Sequence, residues 1–522
     1  MSLADLSVKG LYRQLLRQSA VYTSGTLLQQ ATSFLLLPLY LHLLTPADFG
    51  ITALAGVTTT ILVAILSLGS HGAITRFYWS WKAENAADAA VGTVWMTVIV
   101  FAASVTIVLA RWGAPLFDWL LSSVPYDPFI RVVLLTAFFG TLNQAPLALL
   151  RAREEAGVFV RWSYVTAASA LLLSVYFVAV RRQGALGVLH ANLGSTALSS
   201  AIAIYLMVRR VSFTPRLGRL REALAFSLPL VPGAVLESVT LGLDRLILDK
   251  FVPLSQIGLY SIATRIADLG VRTIMVTSFK TAWFPFAIRL NTERPDGRDR
   301  TARLGMYVVG AGCWCAVATV LFSGVVFAAL GRPEYLVVVP LVAVLAFGNL
   351  AQVVDLLAWV GLMMGKRTGA ISFTTGVQAL VAVCAYLLLI PPFGITGAAF
   401  ASAISMAAMV TMKIRIAERA YPIPYEWGRI AGLAVGAAAA MVAGLATDAL
   451  WGVASWQAVI VKTTWLAFFT LWLKKVALRG LGFRAQLSSV LREGKSVVPQ
   501  DKAWVPAAAE PTGNPDQVSA DR

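Results

Sequence analysis

The chain has 522 residues, 58% of them hydrophobic and only 13% charged, where soluble domains are nearer one half and one quarter. That excludes a soluble globular enzyme and predicts an all-α polytopic membrane protein. A net charge of +17 would suggest nucleic acid in a soluble protein. Here the cations sit in short loops between apolar runs, so the charge reads as membrane topology and no nucleic-acid partner is expected.

Residues 1–19 have no apolar core and no small-residue cleavage site, so no cleavable signal is expected. Lys9, Arg13 and Arg17 recur every four residues and share one helical face, which predicts a cytoplasmic amphipathic segment on anionic membrane lipid. Apolar stretches long enough to span follow at about 20–43, 49–70, 89–110, 130–150, 161–180 and 186–207. A second set lies at about 223–248, 256–286, 304–330, 336–361, 369–391 and 394–416, with a final pair near 429–449 and 456–478. The expected architecture is therefore about 14 transmembrane helices. Residues 20–208 form an N-terminal six-helix lobe, 209–222 a basic cytoplasmic loop between lobes, and 223–417 a C-terminal six-helix lobe. Residues 428–478 form an additional helix pair, and the polar stretch 485–522 is expected to be a disordered cytoplasmic tail.

Charge tests the span count independently. With the N-terminus inside, the inner loops and N-terminal segment hold 24 Lys and Arg. The outer loops hold six (Arg111, Arg131, Arg181, Arg182, Lys250 and Arg332), and eight lie at or beyond Lys474. Shifting the frame by one span would invert this positive-inside pattern. Both termini are thus expected in the cytoplasm.

Two internal matches suggest a repeat. "ADFGITALA" (47–55) and "SQIGLYSIA" (255–263) align Gly50 with Gly258. "GALGVLHA" (184–191) and "GITGAAFA" (394–401) align Gly184 with Gly394 and Gly187 with Gly397. The offsets, 208 and 210, nearly coincide. Six spans per copy is an even number, so the copies are parallel and related by an axis along the membrane normal, with a substrate site expected between them.

The eighth span contains "GLYSIATRIADLGVRTIMVTSFK" (258–280). Each charge facing lipid at a bilayer centre would cost about 2.5–3.5 kcal/mol. At about 100° per residue, Asp268, Arg272 and Lys280 fall at roughly −60°, −20° and +60° from Arg265, one polar stripe on an apolar helix. Glu237 and Asp244, seven apart on the preceding span, share a face. A structural reading pairs Asp268 with Arg272, and Glu237 or Asp244 with Arg265, so these acids serve charge balance or coupling. The functional reading makes Arg265, Arg272 and Lys280 a cavity site for an anion with several oxygens, such as pyrophosphate. Arg76, in "LGSHGAITRFYW", is a further candidate, equally readable as a snorkelling cation. Gln29, Gln30, Asn143 and Gln144 could hydrogen-bond a sugar or merely join helices.

Three cysteines (Cys313, Cys315, Cys384) and three histidines (His42, His71, His190) show no disulfide framework and no ligand spacing, so neither metal nor cofactor is expected. "GLMMGKRT" (361–368) has the wrong glycine spacing for a P-loop; Gly361 and Gly365 read as close helix packing.

The segments "LLTPADFGITALA", "LSLGSHGAITRFYW" and "ALLRAREEAGVF" resemble the polysaccharide transporter family, the Wzx-type O-antigen and exopolysaccharide flippases. So do "FSLPLVPGAVLESVTLGLDRLILDKFVPLSQIGLYSIATRIADL" and "PPFGITGAAFASAI". The resemblance covers most of 10–420 and rests on the order of motifs. It implies the fold of the multidrug/oligosaccharidyl-lipid/polysaccharide exporter superfamily, two six-helix lobes in a V around a central cavity. It also implies flipping of undecaprenyl-pyrophosphate-linked oligosaccharide across the bacterial inner membrane, with a polysaccharide polymerase and chain-length proteins as partners. Asp244-Arg245 matches a family motif and is read as packing, with function open as the second reading. In the related lipid II flippases, cavity arginines are implicated in pyrophosphate binding.

The competing readings are an ion-coupled multidrug exporter and, behind it, a membrane oligosaccharide polymerase. Cationic drugs favour a cavity of carboxylates and aromatics, whereas the eighth-span stripe is net positive. A polymerase working outside needs sizeable outer loops, and the longest here spans about 111–129 with no histidine. The chain is expected to be a transporter, not an enzyme.

Overall fold

The computed structural model describes residues 35–477 except 368 and 454, together with 28 and 32. Its described residues are helical with short connections. After α1 (35–43) come α2 (Pro46–Leu66), α3 (Ser70–Ala83), α4 (Ala87–Trp112), α5 (Ala114–Leu120), α6 (Arg131–Leu142) and α7 (Gln144–Ala152). Next are α8 (Ala156–Ser174, continued by a π-helical turn to Val180), α9 (Gly184–Arg210), α10 (Leu217–Ser227) and α11 (Val231–Phe251). The rest are α12 (Leu254–Asp268), α13 (Ser278–Glu293), α14 (Gly297–Ala329), α15 (Val339–Met364), α16 (Gly369–Ala420), α17 (Trp427–Trp451) and α18 (Trp456–Ala477). Ten described helical stretches are long and apolar enough to cross a membrane. Helices dominate because a bilayer offers backbone groups no outside partner. Several buried hydroxyls follow the same rule: Thr58, Thr93 and Thr141 each donate to the carbonyl one turn back.

Three predicted spans are less regular than their hydropathy suggested. The second stops at Leu66, and positive φ at Leu68 (49°) and Gly69 (65°) starts a separate helix, α3. The fourth is split at Asn143 into α6 and α7. The eighth is α12, then π-helix over Leu269–Thr277, then α13. By contrast the break predicted between the eleventh and twelfth spans falls inside α16, at Gly394 with φ 54° and ψ −130°.

The repeat is visible in the backbone. Gly184 and Gly394, aligned by sequence, both adopt left-handed φ, 57° and 54°. Asp48, which caps α2 with Thr45, accepts the Ala185 amide at 2.9 Å, and its counterpart Gln256 lies beside Gly394.

All the α1–α2, α11–α12 and α14–α15 connections lie at one end of the bundle, and there the two halves lock together reciprocally. α2 crosses α12 at Gly50 and Gly258, each facing a carbonyl of the other helix, Leu254 and Pro46. The segment after α5 reaches α11: Ser122 donates its amide (2.6 Å) and hydroxyl (3.0 Å) to Asp249, and Lys250 donates to the Trp119 carbonyl at 2.6 Å. In the second half, the segment after α14 reaches the end of α1. Tyr335 donates to the Leu44 carbonyl at 2.8 Å, and Arg332 to that of His42.

At the opposite end, α10 is tied to the first half. Trp81 donates to Glu222 at 3.1 Å, Arg219 pairs with Glu84, and Phe226 meets Phe77 edge-on. Gly361 and Gly365 do serve close packing, against Ala417 and Ala420 of α16. The last pair, α17 and α18, lies on α14: Trp314 donates to Thr470 at 3.0 Å, and the wholly buried Lys462 pairs with Asp448.

Candidate functional site

One group of charges lies where α11, α12, α15 and α16 meet. Asp244 is only 8% exposed. It accepts from the Tyr260 hydroxyl (2.9 Å) and the Arg245 amide (2.8 Å), and pairs with the Arg245 guanidinium at 3.4 Å. Arg245 also donates from Nε to Ser261 at 3.4 Å. The carboxylate is thus saturated, and it holds Arg245 in place against α12.

Arg265, one turn further along α12, has Arg245 and Tyr40 as its electrostatic neighbours. Tyr40 belongs to α1 and is itself fixed by donating to Ser174 at 2.9 Å. Arg265 thus lies within electrostatic range of the first half, and it remains exposed. It has no carboxylate partner among the described residues. Two guanidiniums within electrostatic range at membrane depth repel each other, and a polyvalent anion near them would offset that repulsion.

Asp268 accepts from Asn349 of α15 at 3.0 Å and pairs with Arg272 at 3.5 Å. Gln352 donates to Asn349 at 3.1 Å, extending the chain of hydrogen bonds. Arg272 remains 43% exposed beside its acid.

Several sequence expectations change here. Arg265 was expected to pair, in the structural reading, with Glu237 or Asp244; Asp244 takes Arg245 instead. Glu237 is exposed and makes no ion pair among the described residues. The single stripe assumed 100° per residue, but the π segment adds residues to each turn beyond Asp268, so that step does not carry through to Lys280. Lys280 is exposed, with its ammonium 5.7 Å from the Phe284 ring, which stacks on Trp359. Arg76 lies on α3 and is exposed over Phe77. Asn143 is buried at the α6–α7 break and Gln144 is half-buried. Gln29, Gln30, the 1–19 segment and the 485–522 tail lie outside the described residues.

Arg245, Asn349, Tyr40 and Tyr260 were not read as site residues. The polar pair in "FGNLAQVVD" was the available signal for Asn349, since buried amides in a span need partners. The tyrosines gave none, being ordinary apolar-span residues until the fold sets Tyr40 against Ser174 and Tyr260 against Asp244.

With the geometry in view, comparison with known proteins decides the family. A model described as "Polysaccharide biosynthesis protein" matches residues 42–308, just over half the chain. The chain belongs to the polysaccharide biosynthesis protein family. No curated protein matches it by sequence. Among solved structures it is similar to the lipid II flippase MurJ in an inward closed conformation, with TM-score 0.70 and 10% identity over 88% of this chain and 99% of that one. It is also similar to an inward-facing multidrug resistance MATE transporter of the MOP superfamily, with TM-score 0.55 and 18% identity over 82% and 96%. A MOP superfamily transporter from Pyrococcus furiosus, whose binding pocket is described as having reversed polarity, gives TM-score 0.52 at 16% identity over 80% and 96%. This family member therefore has the fold of MOP-type flippases and transporters.

Proposed function

We propose that the chain flips undecaprenyl-pyrophosphate-linked oligosaccharide units from the inner to the outer leaflet of the bacterial cytoplasmic membrane for surface polysaccharide assembly. The observation that carries this reading is Arg265: an exposed cation on α12 without a carboxylate partner among the described residues, within electrostatic range of Arg245 and of Tyr40 in the first half. A pyrophosphate fits such a pair of planar, permanently charged donors. A cationic drug would meet net positive charge instead.

In this reading, residues 20–208 and 223–417 are two six-helix lobes that rock about the Gly50–Gly258 crossing. The sides follow from the arginine-rich connections: α10 and the termini face the cytoplasm, and the reciprocal locks close the outside. Substrate enters from the cytoplasm, its pyrophosphate meeting Arg265 and Arg272, with Lys280 and Arg76 along the approach. Asp244 and Asp268 balance charge, and Glu237 is the acid free to carry a coupling proton. Asn143, Gln144, Gln29 and Gln30 are the candidate amides for sugar hydroxyls. A polymerase and chain-length proteins receive the product outside.

The test is depletion of the protein in its native cell. Lipid-linked oligosaccharide should build up in the cytoplasmic leaflet while surface glycan falls; unchanged surface glycan and no accumulated precursor would refute the proposal.

A further inference from the structure

A second amphipathic site lies away from the charged cluster. Between α8 and α9 runs a groove of about 610 Å³, walled by Trp162, Val165, Ile202 and Tyr205 and bordered by Arg161 and Arg210. Its size suits a lipid-sized ligand. Its charge is all at one end. Arg161 lies five residues into α8 and Tyr205 five residues before the end of α9, both about 7–8 Å from the helix ends. Val165 is nine residues in, about 13–14 Å, and the walls at that depth are apolar.

The walls are fixed from behind: Trp162 donates its indole N–H to the buried Ser199 hydroxyl at 2.7 Å. At the mouth, the Arg209 guanidinium lies 4.6 Å over the Tyr205 ring. Arg210 is committed to Glu155. Arg161 is not: it donates to the Gly157 carbonyl of its own helix at 3.2 Å and has no carboxylate partner among the described residues. Cations at headgroup depth above an apolar channel fit a ligand with a negative head and a hydrocarbon tail, in one orientation only.

We propose that this groove binds an anionic phospholipid of the cytoplasmic leaflet, its phosphate at Arg161 and Arg209 and one acyl chain along Trp162, Val165 and Ile202. The leaflet follows from the orientation proposed above; the binding itself does not depend on transport. A zwitterionic phosphatidylcholine would bring its choline cation to the same arginines and bind less well.

The experiment is native mass spectrometry of the full chain in neutral detergent, titrated with phosphatidylglycerol and, separately, phosphatidylcholine. Phosphatidylglycerol should be retained in preference. Arg161→Gln should weaken it about fivefold and Arg161→Gln with Arg209→Gln more, each basic residue near a headgroup having roughly that effect. Arg161→Lys should restore most of the binding. Val165→Trp, which fills a lipid-facing groove, should abolish the preference, and Arg265→Ala should leave it intact. The proposal is overturned if the double variant holds phosphatidylglycerol as the native chain does. It also fails if a polyprenyl phosphate takes the site in preference to phosphatidylglycerol, or if the variants change dimer mass instead of lipid count, assigning the groove to a second copy.

Discussion

Gly50 and Gly258, equivalent positions of the two repeats, meet backbone to backbone where α2 crosses α12. A Cβ on Gly258 would stand 3.0 Å from the Gly50 nitrogen and closer still to the Pro46 carbonyl oxygen. In the proposed orientation this crossing closes the outer side. Gly258→Ala should therefore open it, since overpacking typically costs about 1–3 kcal/mol. The check is a cysteine at Tyr40 in a chain whose three native cysteines are replaced. An impermeant thiol reagent added outside should label it in the Gly258→Ala background and barely otherwise. Equal labelling in both would show that the glycine contact is not the closure.

The two hydrogen-bonded locks beside it should rank by what each removal leaves behind. Asp249→Ala strands the Ser122 amide, at about 1–3 kcal/mol, whereas Tyr335→Phe removes one bond to a carbonyl, about 0.5–1.5 kcal/mol. Outside labelling at position 40 should rise more for Asp249→Ala than for Tyr335→Phe. The reverse order would mean that Asp249 does not hold the closed state.

The acids should separate by abundance. Asp268 accepts from Asn349 and pairs with Arg272. In Asp268→Asn the charge is lost and an amide can face a donor, so membrane abundance and Tm should fall. Glu237→Gln, at an exposed position, should leave both unchanged. If Glu237 carries the coupling proton, transport in that variant should also lose its dependence on the proton gradient.

The additional helix pair offers a stability test. Lys462 is 0% exposed and paired with Asp448. Lys462→Ala leaves a buried carboxylate uncompensated, a loss typically of about 3–5 kcal/mol. Replacing both residues, Lys462→Met with Asp448→Leu, should restore Tm in detergent to near the native value. A double variant as unstable as the single one would mean that packing, not charge, sets the cost.

The sequence carried the fold because membrane helices announce themselves by composition. The repeat was legible in two short glycine matches because those glycines do something only glycine permits: close crossing at Gly50 and Gly258, left-handed φ at Gly184 and Gly394. The helix interruptions at Leu68, Asn143 and Leu269–Thr277 were not legible, since apolar residues fill a broken helix as readily as a straight one. The site was legible as charges but not as partners. Asp268 and Arg272 are one turn apart and could be paired from spacing alone. Asn349 of α15 donating to Asp268, or Tyr260 donating to Asp244, depends on tertiary placement that periodicity does not encode.

The central claim is that Arg265 holds the pyrophosphate of a lipid-linked substrate. Its most direct test compares Arg265→Lys and Arg265→Ala for surface glycan and for lipid-linked precursor in the cytoplasmic leaflet, with membrane abundance measured alongside. Lysine keeps the charge but loses the planar fork, so the lysine variant should be impaired and the alanine variant more so. Precursor should rise as surface glycan falls, at native abundance. Normal surface glycan and no excess precursor in Arg265→Ala, alone and with Arg272→Ala, would contradict the account.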